Sequence, residues 1–296
     1  MVQRPDAILI AGPTASGKSK LAVEEALRFD GEIVNTDSMQ VYPVLNVLTA
    51  RPDADDLKKV PHHLYATAEL DKPYSVARWL HDAELVAADI WSRGRIPVFV
   101  GGTGLYFRGL ENGIAETPDI PLEIRQEIRL QLEQFGSEKL HQKLALLDPD
   151  GAAGLRAGDG HRIARALEVI SATGKPLSHF QNLPHSRPIL TGKSVRKTVL
   201  MPLRKLLHAR INHRTDWMIE NGAVDEVKAL LQLNLPPEAT VLKAIGVPQL
   251  GNFLHGKFSL NEATEQIKAA TRQYAKRQST WFNGQFDNSW NFDAGK

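Results

Sequence analysis

Eight consecutive residues, Gly12, Pro13, Thr14, Ala15, Ser16, Gly17, Lys18 and Ser19, have the types and spacing of the phosphate-binding pattern G-x-x-x-x-G-K-[ST]. Its glycines let consecutive backbone N–H groups turn into one concavity, and a helix starting there adds roughly half a positive charge. The lysine brings a full charge to an anion, and the last hydroxyl can reach magnesium. Such a loop holds two linked phosphates. Most loops of this kind bind ATP or GTP, so a kinase or nucleotidase is the default against which the other residues must be weighed.

Asp37 is the next group able to do chemistry. Its carboxylate can hold magnesium, take a proton from an attacking nucleophile, or merely cap a turn with Ser38. Gly101-Gly-Thr-Gly104 combines small residues with the Thr103 hydroxyl, which lets a ligand approach the backbone or simply makes a turn. The strand before it lacks the terminal aspartate that many ATPases use for magnesium, and this weakens the nucleotidase reading. His62 and His63 are adjacent in an extended segment, so they point to opposite faces and do not easily share a metal. Between Thr271 and Phe282, Arg272, Lys276 and Arg277 interleave with Tyr274 and Trp281. That pattern suits either a solvated basic face or a folded RNA, whose bases stack on rings and whose phosphates attract cations.

The elements around these groups follow from periodicity. Ala7 to Ile10 reads as a buried strand, and Lys20 to Phe29 as a helix with Leu21, Ala22, Ala26 and Phe29 on one side. Glu32 to Asn35 is a short strand ending at Asp37. Ser75 caps a helix carrying Val76, Leu80, Ala83, Val86, Ala87 and Ile90 until Gly94, and Ile96 to Val100 is a strand running into Gly101. Alternating strands and helices predict a P-loop NTPase-like α/β fold, a parallel sheet flanked by helices, with ligands at the carboxyl ends of the strands. Those ends fall at Gly12, Asp37 and Thr103, so one cleft can collect all three.

From about Glu116 the chain becomes charged and helical. Pro118 and Pro121 punctuate it, Leu122 to Leu147 is helical with Ser137 as a cap between two helices, and His161 to Ser171 is a helix ended by Thr173 to Pro176. A loop around Pro184, Pro188 and Gly192 leads to a strand at Arg196 to Met201. This predicts an all-helical insertion, 116–195, within a core made of 1–115 and 196–296. Leu206 to Phe282 is helical, broken at Gly222, Pro236-Pro237, Gly246 and Gly256.

The chain has 296 residues, 42% of them hydrophobic, which is ordinary for a soluble globular protein. No apolar run is long enough for a signal peptide or membrane span, so a cytoplasmic protein is expected. The absence of cysteine excludes disulfides, a thiol nucleophile and a cysteine zinc site. The formal charge is only +2, but between Arg196 and Arg277 basic residues clearly outnumber acids, as suits a polyanionic partner.

Taken in order, Gly12 to Ser19, Asp37-Ser-Met-Gln-Val-Tyr42, Val60-Pro-His-His-Leu64, Gly101-Gly-Thr-Gly-Leu-Tyr106, Asp159 to Val169, Lys243-Ala-Ile-Gly246 and Gln273 to Phe282 resemble the motif set of the tRNA dimethylallyltransferases, also called tRNA isopentenyltransferases, of the bacterial type without a zinc finger. The resemblance spans nearly the whole chain. It implies transfer of a dimethylallyl group from dimethylallyl diphosphate to N6 of the adenosine 3′ of the anticodon in tRNA. The loop from Gly12 to Ser19 would then hold the donor diphosphate rather than ATP, with Lys18 neutralising the leaving group and Ser19 reaching Mg2+. The resemblance makes Asp37 the base and sets Thr103 beside the reacting centre. It assigns contacts with the tRNA anticodon stem-loop to Asp37, Ser38, Met39, Gln40, Thr103, Arg125, His161, Arg162, Ile163, Ala164, Arg165 and Lys243. Arg210, Arg214 and Arg272, on presumed helices facing the core, are added as clamps for phosphates. A monomer is expected.

Two departures stand out. Ser19 replaces the threonine of many members and keeps its hydroxyl; Tyr65-Ala-Thr67 follows Leu64 where some relatives have Ile-Asp, so no acid role transfers there. Three rivals remain: a small-molecule kinase using the loop for ATP, a prenyltransferase acting on free adenine nucleotides, and a non-catalytic RNA-binding protein. The intact Lys18, Ser19 and Asp37 disfavour the last.

Overall fold

The computed structural model describes residues 4–294 except Pro73, Glu116 and Pro184. The expected start of the insertion at Glu116, and Pro184 in the loop after it, therefore lie outside the described residues. The elements run β1 (Ala7–Ala11), α1 (Lys18–Phe29), β2 (Gly31–Asn35), α2 (Ala54–Lys59), β3 (His62–His63), α3 (Val76–Ser92), β4 (Ile96–Gly101) and α4 (Gly104–Asn112). Next come α5 (Leu122–Leu147), α6 (Pro149–Ala153), α7 (Gly160–Thr173) and α8 (Leu177–Gln181). The chain closes with β5 (Val195–Leu200), α9 (Arg204–Glu220), α10 (Ala223–Gln232), a 3-10 turn (Thr240–Lys243), α11 (Val247–Leu254), α12 (Leu260–Gln285) and β6 (Asn291–Asp293). Two compact units result: Met1–Glu111 with Ile189–Lys296, and Asn112–Pro188.

The first unit is built on a six-stranded sheet in the order β3-β2-β4-β1-β5-β6, every pair parallel. Strands buried on both faces must be apolar throughout. β1 and β4 meet this requirement with Ala7-Ile-Leu-Ile-Ala11 and Ile96-Pro-Val-Phe-Val-Gly101, all buried. On one face Ile8, Ile10, Ile33, Val98 and Val100 pack against Ala22, Val23 and Ala26 of α1. On α3, Trp79 is fully buried and donates its indole N–H to the carbonyl of Asn35 at 2.9 Å, tying that helix to the end of β2.

The edge strand β6 was not read from the sequence, because Asn-Phe-Asp is too short to carry a period. It is held from outside. Trp290 stacks on Phe286 at 3.7 Å, meets Phe107 edge-on, and donates to Glu111 at 3.2 Å. The first helix begins at Lys18 rather than Lys20, since the end of the phosphate loop already forms its first turn.

In the second unit, α5 is interrupted at Gly136, whose φ of 79° and ψ of 167° lie outside the helical region, just before the expected cap at Ser137. Ile128, Leu140 and Leu144 of α5 pack against Ile163 and Leu167 of α7. Asp159 caps α7 by accepting the Arg162 N–H, and Gly174 ends it in the left-handed region.

Glu32 is the buried charge of the sheet, only 1% exposed. It is ringed by Arg93, Arg95 at 2.7 Å, and His63 at 2.6 Å. Hydrogen bonding from Arg93 leads the causes that pull its pKa from 4.5 to about 2, against the desolvation that opposes them. Because the folded pKa lies below the unfolded one, this contribution to stability is complete above about pH 4.5 and is lost as pH falls toward about 2. Glu32→Gln is therefore expected to lower the Tm at neutral pH and to flatten its acid decline across that window, as read by thermal melts from pH 7 down to about 2.

Candidate active site

The phosphate loop joins β1 to α1 at the carboxyl end of the sheet. Ala15 and Gly17 adopt positive φ, 63° and 95°, which curls the loop over the start of α1. Gly12 must lack a side chain, since a Cβ there would lie 2.6 Å from Ser16 Oγ and 3.0 Å from the Leu200 carbonyl. Ser16 is buried, and its Oγ has no hydrogen-bond partner among the described residues, as expected of a group kept for a ligand. Lys18 Nζ reaches back to the Pro13 carbonyl at 3.4 Å. Desolvation brings its pKa from 10.5 down to about 8, against the Asp37 carboxylate, which raises it, and alongside Arg214, which lowers it.

Helices from much later in the chain grip this loop. Arg214 of α9 donates to the Thr14 hydroxyl, and Arg210 to the Ser16 carbonyl at 3.4 Å. From α12, the Gln278 Oε1 accepts the Thr14 N–H at 2.9 Å while its Nε2 donates to the Gly102 carbonyl at 2.9 Å. Burial lowers the pKa of Arg214, and the Asp37 charge opposes the shift.

Asp37 follows β2 and is fixed through its backbone by a neighbour. Asn35 accepts the Asp37 N–H at 3.0 Å and donates to the carbonyls of Asp37 and Leu64 at 3.1 and 3.0 Å. The Asp37 Oδ1 accepts the Met39 N–H at 2.9 Å. Thr103 stands opposite: its Oγ1 accepts the Ser38 N–H at 3.0 Å, and its own N–H donates to the Thr36 carbonyl at 3.2 Å. Three phenols, Tyr65, Tyr106 and Tyr274, have raised pKa values, first through burial and then through the Asp37 charge. They stay neutral around it.

Of these groups Thr14, Asp37, Ser38, Arg214 and Tyr274 border one cavity of about 300 Å³. Thr14, Asp37, Arg214, Lys243 and Arg277 make its polar side, where cations outnumber the single carboxylate. Leu48, Met218, Ile245 and Ile267 make an apolar side. An anion with an uncharged body fits this division of the walls.

Residues 40–285 match the IPP transferase family model, and residues 5–72 match that of isopentenyl transferase. The chain belongs to the tRNA dimethylallyltransferase family. The tRNA dimethylallyltransferase of Rhizobium johnstonii is 51% identical over 286 residues, covering 96% of each chain, and that of Agrobacterium fabrum is 48% identical over 97% of this chain and 96% of its own. Among solved structures, the tRNA isopentenylpyrophosphate transferase of Bacillus halodurans superposes with a TM-score of 0.68 at 33% identity, over 98% of this chain and 90% of that one. A eukaryotic dimethylallyltransferase described as acting on tRNA gives 0.74 at 31% identity, over 93% and 69%. The parallel sheet flanked by helices is thus the fold of this family.

Against the residues expected for a tRNA dimethylallyltransferase, Asp37, Ser38, Met39, Lys243 and Thr14 share the cavity. Thr103 adjoins Ser38, and Ser19 is exposed in the first turn of α1. The Gln40 side-chain nitrogen is committed to the carbonyls of Thr49 and Ala50, each at 2.9 Å. In the helical unit His161 and Arg162 are exposed at the start of α7, Arg125 is half-buried on α5, and Arg165 donates to Thr117 at 2.9 Å. Ile163 and Ala164 need correction as RNA contacts: they are 0% and 5% exposed within the core of that unit, because the helical period turns them inward. Arg210 and Arg214 reach the loop, whereas Arg272 donates to Asn212 at 2.7 Å. Asn35, Gln278, Leu48 and Met218 were not singled out from the sequence; nothing local marks them, since each matters only through a distant contact. His62 and His63 part as expected, toward the Val60 carbonyl and Glu32 respectively.

Two outcomes are expected. An anion on the loop favours the charged form of Lys18, so diphosphate affinity, read by calorimetry, should hold below about pH 8 and fall as pH rises above it; Lys18→Met should bind at least about tenfold more weakly at pH 7 and lose that dependence. A Cβ on Gly101 would lie 2.0 Å from the Thr36 carbonyl oxygen, so Gly101→Ala should depress the Tm by several degrees, about 2 kcal/mol or more, in a thermal melt.

Proposed function

We propose that the protein transfers a dimethylallyl group from dimethylallyl diphosphate to N6 of the adenosine 3′ of the anticodon in tRNA, releasing diphosphate. The observation that carries this reading is the meeting of Asp37 with Thr14 and Arg214 in a single cavity, with Lys18 close enough for its charge to feel both Asp37 and Arg214. The loop from Gly12 to Ser19 holds the diphosphate through backbone N–H groups, Lys18 and the unpartnered Ser16 hydroxyl. As the C1–O bond of the donor breaks, its electron pair stays on the departing diphosphate, where Lys18, Arg210 and Arg214 stabilise the growing charge. The adenine N6 bonds to C1, and its proton passes to the Asp37 carboxylate. An adenine amine is a weak nucleophile because its lone pair is delocalised into the ring, so that proton transfer has a clear task.

Asn35 and Thr103 keep Asp37 and Ser38 in register with the loop. The apolar side of the cavity packs the uncharged groups. His161, Arg162 and Arg125, with Ser38, Met39, Gln40, Arg165 and Lys243, serve as contacts for the anticodon stem-loop. The target base must leave its stack to reach a carboxylate that lines the cavity.

The donor set fits magnesium in one way only. Among the described residues no cluster of three His, Cys, Asp or Glu side chains exists to cage a metal, but an ion held mainly by diphosphate oxygens and water needs just one or two protein oxygens, and the Ser19 hydroxyl offers one. Bound there, Mg2+ would supply further charge neutralisation on the leaving group. Among the described residues no helix is long and apolar enough to cross a membrane.

Label from dimethylallyl diphosphate should enter tRNA, and neither AMP in place of tRNA nor ATP in place of the donor should give product. Product on AMP would redirect the reading to free nucleotides, and phosphate transfer from ATP would end it. Asp37→Asn should lower kcat by about a hundredfold or more while leaving tRNA affinity within about twofold, measured by single-turnover transfer and filter binding.

A further inference from the structure

The turn formed by residues 45–50 belongs to no helix or strand, yet Leu48 and Thr49 form part of the cavity wall. Its own hydrogen bonds are few: Ala50 N–H to the Val47 carbonyl at 3.0 Å, Arg51 N–H to the Asn46 carbonyl at 3.1 Å, and the Thr49 hydroxyl to the Leu45 carbonyl at 2.5 Å. Side chains from elsewhere satisfy its ends. The carbonyls of Thr49 and Ala50 take both bonds from Gln40 Nε2. The amides of Asn46, Val47 and Leu48 point the same way, and all three donate to one carboxylate, that of Glu226 in the first turn of α10. Oε1 accepts from Asn46 and Val47 at 2.9 and 2.7 Å, and Oε2 from Leu48 at 3.0 Å.

Three converging N–H groups form the kind of concavity that ordinarily takes an external anion. Here the protein fills it from within, and charge-assisted bonds of this kind are about twice as strong as neutral ones. The far side of the turn is equally restricted. Leu48 is pressed onto Gly246, where a Cβ would lie 2.6 Å from Leu48 Cδ1. Glu226 thus connects α10 to the wall of the cavity that Asp37 also lines, and none of its three bonds reaches the phosphate loop.

We propose that Glu226 is a positioning residue for the transfer reaction: by holding three amides it sets Leu48 and Thr49 as the wall against which the reacting group packs. This rests on the cavity being the reaction site. A carboxylate is required because both oxygens must accept. A glutamine presents one carbonyl oxygen and would turn its NH2 toward the Leu48 N–H. A misplaced wall loosens alignment of the reacting atoms, and alignment governs turnover more than ground-state binding.

The test compares wild type, Glu226→Ala, Glu226→Gln, Leu48→Ala and the double variant Glu226→Ala/Leu48→Ala for kcat with saturating tRNA and dimethylallyl diphosphate, for Kd of inorganic diphosphate, and for Tm. Expected are a fall in kcat of about tenfold in Glu226→Ala, a smaller fall in Glu226→Gln, and diphosphate Kd within about twofold of wild type. The double variant should lose less than the product of the two single losses, since both act through one wall. Unchanged kcat in Glu226→Ala, or losses that multiply independently, overturns the proposal. So does a fall in kcat matched by equal weakening of diphosphate binding and a large drop in Tm, because that marks general loosening of the fold. A wild type that transfers nothing to tRNA instead removes the proposed function itself, and the assignment of Glu226 with it.

Discussion

The backbone of Thr36 crosses Gly101 so closely that no side chain fits between them, and the position of Asp37 and Ser38 depends on that crossing. It brings the end of β2 against the end of β4. The Thr36 N–H donates to the Val100 carbonyl at 2.8 Å and its carbonyl accepts from Thr103, so the chain leaving β2 is bound on both sides of the contact. Asp37 and Ser38 come next in sequence and have little freedom left. Asn35, buried beneath, removes most of what remains by bonding Asp37 at both its N–H and its carbonyl. The carboxylate is thus located by backbone geometry, with one bond at its tip, from the Met39 N–H.

Around it the protein accepts an electrostatic cost. Lys18 and Arg214 are both drawn from water, and desolvation is the leading influence on each. Asp37 offsets part of that burden, but one carboxylate does not balance two cations. The Ser16 hydroxyl nearby is buried with no partner among the described residues. Such groups are unfavourable in the free protein, and an arrangement of this kind persists where a ligand completes it. The closely packed parallel sheet, with β1 and β4 wholly buried, supplies the rigidity that holds like charges together.

Much of this was legible in local patterns. The phosphate loop announced itself because its glycines, lysine and hydroxyl are consecutive, and Asp37 and Thr103 because each closes an apolar run that must be a strand. The cap at Ser75 and the stops at Gly94 and Gly174 follow from residues that satisfy or release the nearest backbone groups. The same local view misjudged Ile163 and Ala164. A motif names five consecutive residues alike, but a helix turns them through all directions, and only His161 and Arg162 are well exposed.

By itself the sequence determined the main strands and helices, that the strands run parallel, and that a loop for linked phosphates lies at their carboxyl ends, because these depend on spacing within a few turns of chain. Only the tertiary structure decided that Arg210 and Arg214 of α9 and Gln278 of α12 would close on the loop, that Glu226 would hold the turn at 45–50, and that Asn-Phe-Asp near the end would add an edge strand. The reason is physical. Each of those contacts joins residues far apart in the chain through one to three hydrogen bonds or a stacked ring, and no periodicity records a partner that only folding brings near.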